Sequence, residues 1–189
     1  MKRIVIFASG SGTNAENLIT YFKNSSFASV VLVLSNNPHA KVLDRAKNFE
    51  VSAMSFNRMA FTKTNNVLDL LNANKPDLIV LAGFLWKFPE SILKEFPNKV
   101  INIHPALLPK YGGKGMYGGF VHEAVVANKE IETGITIHYV NEHYDEGAII
   151  FQATCKVEST DLAQDVAAKI HELEMEHFPK VVEGLLKED

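Results

Sequence analysis

The chain has 189 residues, 47% hydrophobic and 22% charged, enough for one sizeable core and too few for a second large domain. A formal net charge of -3 with no long basic run leaves no electrostatic footprint for nucleic acid, although a local anion site is still allowed. No apolar stretch approaches a membrane span, and the single cysteine, Cys155, excludes an intramolecular disulfide and fits a reducing cytoplasm.

Two cations, Lys2 and Arg3, precede an apolar run, but that run ends at Ser9-Gly10, too early for a secretory signal, so residues 3 to 8 are predicted as the first strand. A glycine-rich turn leads into a helix from Asn14 to Lys23, with Leu18, Ile19 and Phe22 at helical spacing. Ser29 to Leu34 reads as a strand buried on both faces, closed by Asn36-Asn37-Pro38. A short helix from Ala40 to Asn48, a brief strand near Val51 to Ser55 and a helix from about Ala60 to Leu71 follow. Leu78 to Ala82 is a strong strand ended by Gly83. The bulky connection Phe84 to Pro89 then enters a helix from Glu90 to Glu95, and Val100 to Ile103 is the next strand.

From Tyr111 to Gly119 the chain is too glycine-rich for a packed element and reads as a functional or mobile loop. A helix from Phe120 to Asn128 precedes two strands, Gly134 to Val140 and Ala148 to Lys156, expected to be antiparallel neighbours. One long amphipathic helix starting near Thr160-Asp161 ends the chain. Strands alternating with helices predict an α/β domain around a largely parallel sheet.

Three places carry groups suited to chemistry. Gly10 to Asn14 lies between the first strand and the first helix, where free backbone N–H groups and the helix dipole favour an anion. With Ala15 it matches G-x-G-x-x-A. The second strand, however, ends in Ser35-Asn36-Asn37 rather than in an acid for a ribose hydroxyl, so one phosphate is favoured over a pyrophosphate. The alternative is a tight turn with Asn14 capping the helix. Asn102 and His104 fall on one face at a strand's carboxyl end, stiffened by Pro105 and Pro109, and Asp145 in a later loop can orient the imidazole. Taken singly, His104 reads as a core histidine and Asp145 as a turn acid.

The third place is Phe84, Leu85, Trp86 and Phe88, which cannot all point inward, so some should line a cleft for a flat heterocycle. Arg58, after the third strand, is placed either to meet a carboxylate or to sit as a solvated charge. His122-Glu123 and His171-Glu172 lack a second histidine at the spacing of a zinc site, and Glu174-x-x-His177 lacks its second copy, so no metal is expected. Cys155 reads as a small core residue.

Taken together, Ala8 to Asn14, Leu81-Ala82-Gly83-Phe84, the N-x-H-P-x-L-L-P segment from Asn102 to Pro109, the later Asp145-x-Gly147 and Glu174 ahead of Phe178-Pro179 resemble the folate-dependent formyltransferases over nearly the whole chain. The resemblance implies one domain over residues 1–189, with a Rossmann-like, seven-stranded, mostly parallel sheet and helices on both faces. It implies catalytic roles for Asn102, His104 and Asp145. Gly12, Thr13, Asn14 and Glu174 would hold a ribonucleotide, 5-phosphoribosylglycinamide. Arg58, the backbone of Leu85, Trp86, Lys87 and Phe88, and Asn102 would hold 10-formyltetrahydrofolate, with the loop from Asn141 to Asp145 closing over the pterin. The expected partners are these two small molecules, with 10-formyltetrahydrofolate as co-substrate, no metal, no nucleic acid and no membrane, in a cytoplasmic monomer or weak homodimer.

In the implied reaction the primary amine attacks the formyl carbon while Asn102 and a protonated His104 stabilise the oxyanion, Asp145 raising the histidine pKa. The chain departs from relatives at Ala106, where many carry serine, at Gly113 to Gly118, where better-known members carry a histidine-bearing loop, and at Trp86-Lys87, which replaces an arginine-containing pair. Three rivals stand beside this reading. A formyltetrahydrofolate hydrolase would add a regulatory domain in front, and a methionyl-tRNA formyltransferase would add a carboxyl-terminal RNA-binding domain. A nucleotide-binding module without catalysis would need only the fold.

Overall fold

The computed structural model describes residues 1–188. In chain order its elements are β1 (Lys2–Phe7), α1 (Thr13–Phe22), β2 (Ala28–Ser35), α2 (Lys41–Asn48), β3 (Ser52–Ser55), α3 (Arg58–Thr62) and α4 (Asn66–Asn74). They continue with β4 (Leu78–Leu81), α5 (Glu90–Glu95), β5 (Val100–His104), α6 (Gly119–Ala127), β6 (Glu132–Tyr139), β7 (Ile149–Lys156) and α7 (Ala163–Glu188). The strands form one seven-stranded sheet in the order β3-β2-β1-β4-β5-β6-β7. Pairing is parallel from β3 to β5, while β6 runs antiparallel to both β5 and β7.

The period of two in β1 divides the core. Ile4 and Ile6 enter the layer under α1, α2, α6 and α7, whereas Val5 and Phe7 enter the layer under α3, α4 and α5. All four are fully buried, each worth roughly 1.5–3 kcal/mol of apolar transfer. Helices therefore cover both faces, as expected.

Two predicted boundaries move. The single helix expected from Ala60 to Leu71 is two, α3 and α4. Asn57 Oδ1 caps α3 by accepting from the Ala60 N–H at 2.9 Å, and Thr62 Oγ1 donates to the Arg58 carbonyl. The polar run Thr62 to Asn66 thus offers the backbone local partners that compete with helix continuation. At the other end, α7 starts at Ala163 rather than near Thr160-Asp161. The Asp161 carboxylate is taken by the Glu158 N–H, and Asp165 reaches back to the Leu162 N–H at 2.8 Å.

The chain leaves β1 toward β2 on one side and returns to β4 on the other, so a crevice opens at the carboxyl ends of β1 and β4. Ser9 stitches this rim. Its N–H donates to the Gly83 carbonyl, its hydroxyl donates to Asn36 Oδ1 at 2.6 Å, and it accepts from the Leu85 N–H at 2.9 Å. Among the described residues no helix is long and apolar enough to cross a membrane.

Candidate active site

A cleft of about 440 Å³ lies at this crevice, and Gly12, Thr13, Asn14, Leu85, Asn102, His104, Asp145 and Glu174 all line it. A smaller pocket of about 60 Å³ adjoins it, lined by Trp86, Lys87 and Phe88. Asn102 and Asp145 line both.

At the junction the polar groups form a closed cluster. Asn102 and His104 stand on β5, and Asp145 arrives from the loop after β6 with a left-handed backbone, φ 57°. That loop can lie so close only because residue 147 is glycine: a Cβ there would collide with the Tyr139 carbonyl. His104 Nε2 lies 2.7 Å from the Tyr111 carbonyl, and since a carbonyl only accepts, Nε2 carries the proton. Its Nδ1 faces Asp145 Oδ2 at 3.7 Å. The other Asp145 oxygen is 3.7 Å from His138 Nε2, and the Gly113 N–H donates to Asp145 Oδ2 at 2.8 Å. His138 Nδ1 donates to the Tyr139 carbonyl, which leaves Nε2 to accept from Asn102 Nδ2 at 3.1 Å. One Nδ2 hydrogen of Asn102 is thereby fixed and the other stays free.

The His104 pKa shifts in the direction opposite to the expected one. Burial pushes its pKa below the ordinary histidine value and outweighs Asp145 and the Tyr111 carbonyl, both of which raise it, while His138 lowers it further. For Asp145, burial raises the pKa, but the two imidazoles and the Gly113 N–H that donates to it together bring it below the usual carboxylate value.

The end of the cleft at α1 is built from backbone. Gly12 precedes α1 at φ 78°, and a Cβ there would collide with the Val42 side chain, so the turn both needs glycine and packs on α2. Among the described residues no side chain caps α1, so its N–H groups ahead of Glu16 face the cleft without a partner. Asn14, the cap candidate, instead donates from Nδ2 to Glu174 Oε2 at 2.9 Å, joining residues 160 apart, and its own Oδ1 is buried without a partner. Burial pushes Glu174 up to about 7, against the Asn14 hydrogen bond.

On the other side, Phe84 and Phe88 pack edge-on against Phe7 with ring centroids 5.4 and 5.1 Å apart; Phe88 belongs to the core, Phe84 is half-buried and lines both pockets, and Leu85 stands exposed over the cleft. The N–H groups of Trp86, Lys87 and Phe88 have no hydrogen-bond partner among the described residues, so they are available to the edge of a heterocycle. The Leu85 N–H is not, because Ser9 occupies it. Arg58 lines neither pocket; its guanidinium stacks 5.0 Å from the centre of the Trp86 ring.

Sequence reasoning missed His138, which the antiparallel register places directly opposite Asn102. A polar residue inside the apolar alternation of Ile135 and Ile137 was the available signal. It also missed His122 and His171, both in the cleft wall, and the part the glycine-rich loop plays through the Tyr111 carbonyl and the Gly113 N–H. Backbone contacts of that kind leave no trace in side-chain identity. Among the described residues no group of three or more His, Cys, Asp or Glu is placed to hold a metal.

Known proteins resemble the chain over its whole length. Residues 2–182 match the family model described as formyl transferase. The phosphoribosylglycinamide formyltransferase of Bacillus subtilis (strain 168) is 34% identical over 98% of this chain and 95% of its own. Two solved structures, of glycinamide ribonucleotide transformylase 1 from Geobacillus kaustophilus and from Symbiobacterium toebii, superpose with TM-scores of 0.89 at 32% and 28% identity. They cover 98% and 99% of this chain, and the chain covers 99% and 88% of theirs.

Proposed function

The chain belongs to the formyl transferase family of enzymes, and on that premise we propose that it moves the formyl group of 10-formyltetrahydrofolate to the primary amine of 5-phosphoribosylglycinamide, a step of purine biosynthesis. The observation that carries this reading is that Asn102 and Asp145 line both pockets, so one polar cluster faces two compartments. A phosphate suits the unpartnered N–H groups before α1, with Glu174 beside the ribose. A flat heterocycle suits the pocket at Trp86, Lys87 and Phe88 with its free backbone donors, and Arg58, held by the Trp86 ring, remains at the rim for a carboxylate. When bound, the folate supplies the formyl carbon.

Transfer forms one C–N bond to the acceptor amine and breaks one C–N bond to the donor, and a single proton must pass from the first nitrogen to the second. Asn102 spends its free Nδ2 hydrogen on the formyl oxygen as charge develops there, with His138 preventing the amide from turning away. His104 enters neutral, its Nε2–H held by Tyr111, so Nδ1 is the atom that takes the amine proton. Asp145, 3.7 Å away, stabilises the imidazolium until that proton passes to the leaving nitrogen. This differs from an oxyanion held by a histidine that is already charged. The reading takes the chain as one catalytic domain acting in the cytoplasm on two small molecules, as a monomer or weak homodimer.

The test is a spectrophotometric assay of 10-formyltetrahydrofolate consumption with and without 5-phosphoribosylglycinamide. Amine-dependent loss of the formyl group is expected. Loss at the same rate without the amine would make the enzyme a hydrolase, and no loss in either case would leave a binding module.

A further inference from the structure

Two histidines of the cleft wall, His122 and His171, have no part in the transfer derived above, and His122 is the buried one. His122 lies on α6, is 8% exposed, and lines the same cleft as His104 and Glu174. Among the described residues its Nδ1 is buried without a hydrogen-bond partner, which leaves Nε2 as the ring nitrogen able to meet a ligand in the cleft. A buried N–H with no acceptor costs more than a buried lone pair with no donor, so the proton sits on Nε2. Burial and the nearby His104 both disfavour a charge on this ring. What α6 presents to the cleft is therefore a neutral N–H donor.

The layers of the fold say which substrate meets it. α6 and α7 pack on the same face of the sheet as α1, whose amino end faces the cleft, whereas Phe84 and Phe88 sink into the opposite layer. His122 thus stands on the ribonucleotide's side. The phosphate has the free N–H groups before α1, so the donor on α6 is left for an oxygen nearer the reacting amine, and it cannot accept from an ammonium group. The uncharged oxygen nearest the reacting amine of a glycinamide is the carbonyl one carbon away.

We propose that His122 is an acceptor-positioning residue whose Nε2–H donates to the glycyl carbonyl of the ribonucleotide and thereby aims its amine at the formyl carbon. The inference rests on the formyl-transfer reading and names which substrate the residue serves. His122→Leu is expected to raise the KM for 5-phosphoribosylglycinamide about tenfold, the scale of one neutral hydrogen bond, and to leave the KM for 10-formyltetrahydrofolate unchanged. His122→Gln, whose amide nitrogen reaches the place of Nε2, should recover most of the loss. An acceptor with a methylene in place of that carbonyl should lose the same factor with the wild-type enzyme and nothing further with His122→Leu. An unchanged acceptor KM in a variant that melts like wild type, an equal rise in both KM values, or an analogue penalty that persists in His122→Leu overturns the proposal. If His122→Leu does not fold, the glutamine variant and the analogue on wild type decide alone. A wild-type protein that does not use the amine at all overturns the function reading instead.

Discussion

Asp145 and Glu174 are two carboxylates in one cleft, and water reaches them about equally: their side chains are 13% and 14% exposed. Their proton affinities nevertheless move in opposite directions. Asp145 has two imidazoles at 3.7 Å and a backbone N–H at 2.8 Å, and these offset its burial. Glu174 has one amide hydrogen bond, and with His171 no closer than 3.9 Å its burial is left largely uncompensated. Exposure alone therefore does not set the charge here; the depth of protein packed around each carboxyl and the partners that offset it do. The same cleft holds one acid whose surroundings favour the carboxylate and another whose surroundings favour the neutral carboxyl.

The largest break in this contrast should come from Asp145→Asn, which keeps the shape and removes the charge. Turnover is expected to fall about 10³-fold. The limb of the pH–rate profile that belongs to His104 should also move to lower pH, because the carboxylate raises that pKa and the amide does not. A stopped-flow or steady-state pH series checks both. A profile of unchanged shape would reduce Asp145 to a turn residue. Next comes His138→Leu, of similar bulk, which frees the Asn102 amide to rotate and strips one partner from Asp145. A loss in kcat of about 10–100-fold is expected, with both KM values close to wild type, since the damage is to aim rather than to binding. His138→Gln should recover part of it by restoring an acceptor for Asn102 Nδ2.

How much of this was legible beforehand depended on whether the interaction runs through side chains along one strand or through the backbone between elements. Asn102 and His104 share a strand, and a period of two was enough to pair them. The glycine turn that opens α1 onto the cleft was legible because Gly10 and Gly12 stand between a strand and a helix. His138 depended on a register that no local pattern states, and the Asn14–Glu174 bond joins the first helix to the last across 160 positions. Lowering of the His104 pKa was out of reach for a related reason. Its attraction to Asp145 can be guessed from residue types, but the opposing burial exists only once β5, β6 and the glycine-rich loop have closed around the ring. The division of residues 60 to 71 into two helices had its signal in the polar run after Phe61, where the Thr62 and Thr64 hydroxyls bond to the backbone.

The smallest effect belongs to Glu174→Gln, and its sign follows from linkage. Below about pH 4.5 the carboxyl is protonated in both the folded and the unfolded chain, and the fold's preference for the neutral form is fully expressed. As pH rises, the unfolded chain ionises freely while the folded one resists until about pH 7, so this contribution to stability is lost across that interval. Glutamine cannot ionise. The wild-type protein should therefore lose stability relative to Glu174→Gln between pH 5 and 8, by about 1–3 kcal/mol. Urea titrations of the two proteins at matched pH measure the difference directly. Asp145→Asn should do the opposite in acid, because a depressed carboxylate pKa stabilises the fold above its unfolded value and that contribution vanishes as pH falls through the folded one. If the two substitutions give parallel curves, the two carboxylates feel the same surroundings and the contrast between their neighbours fails.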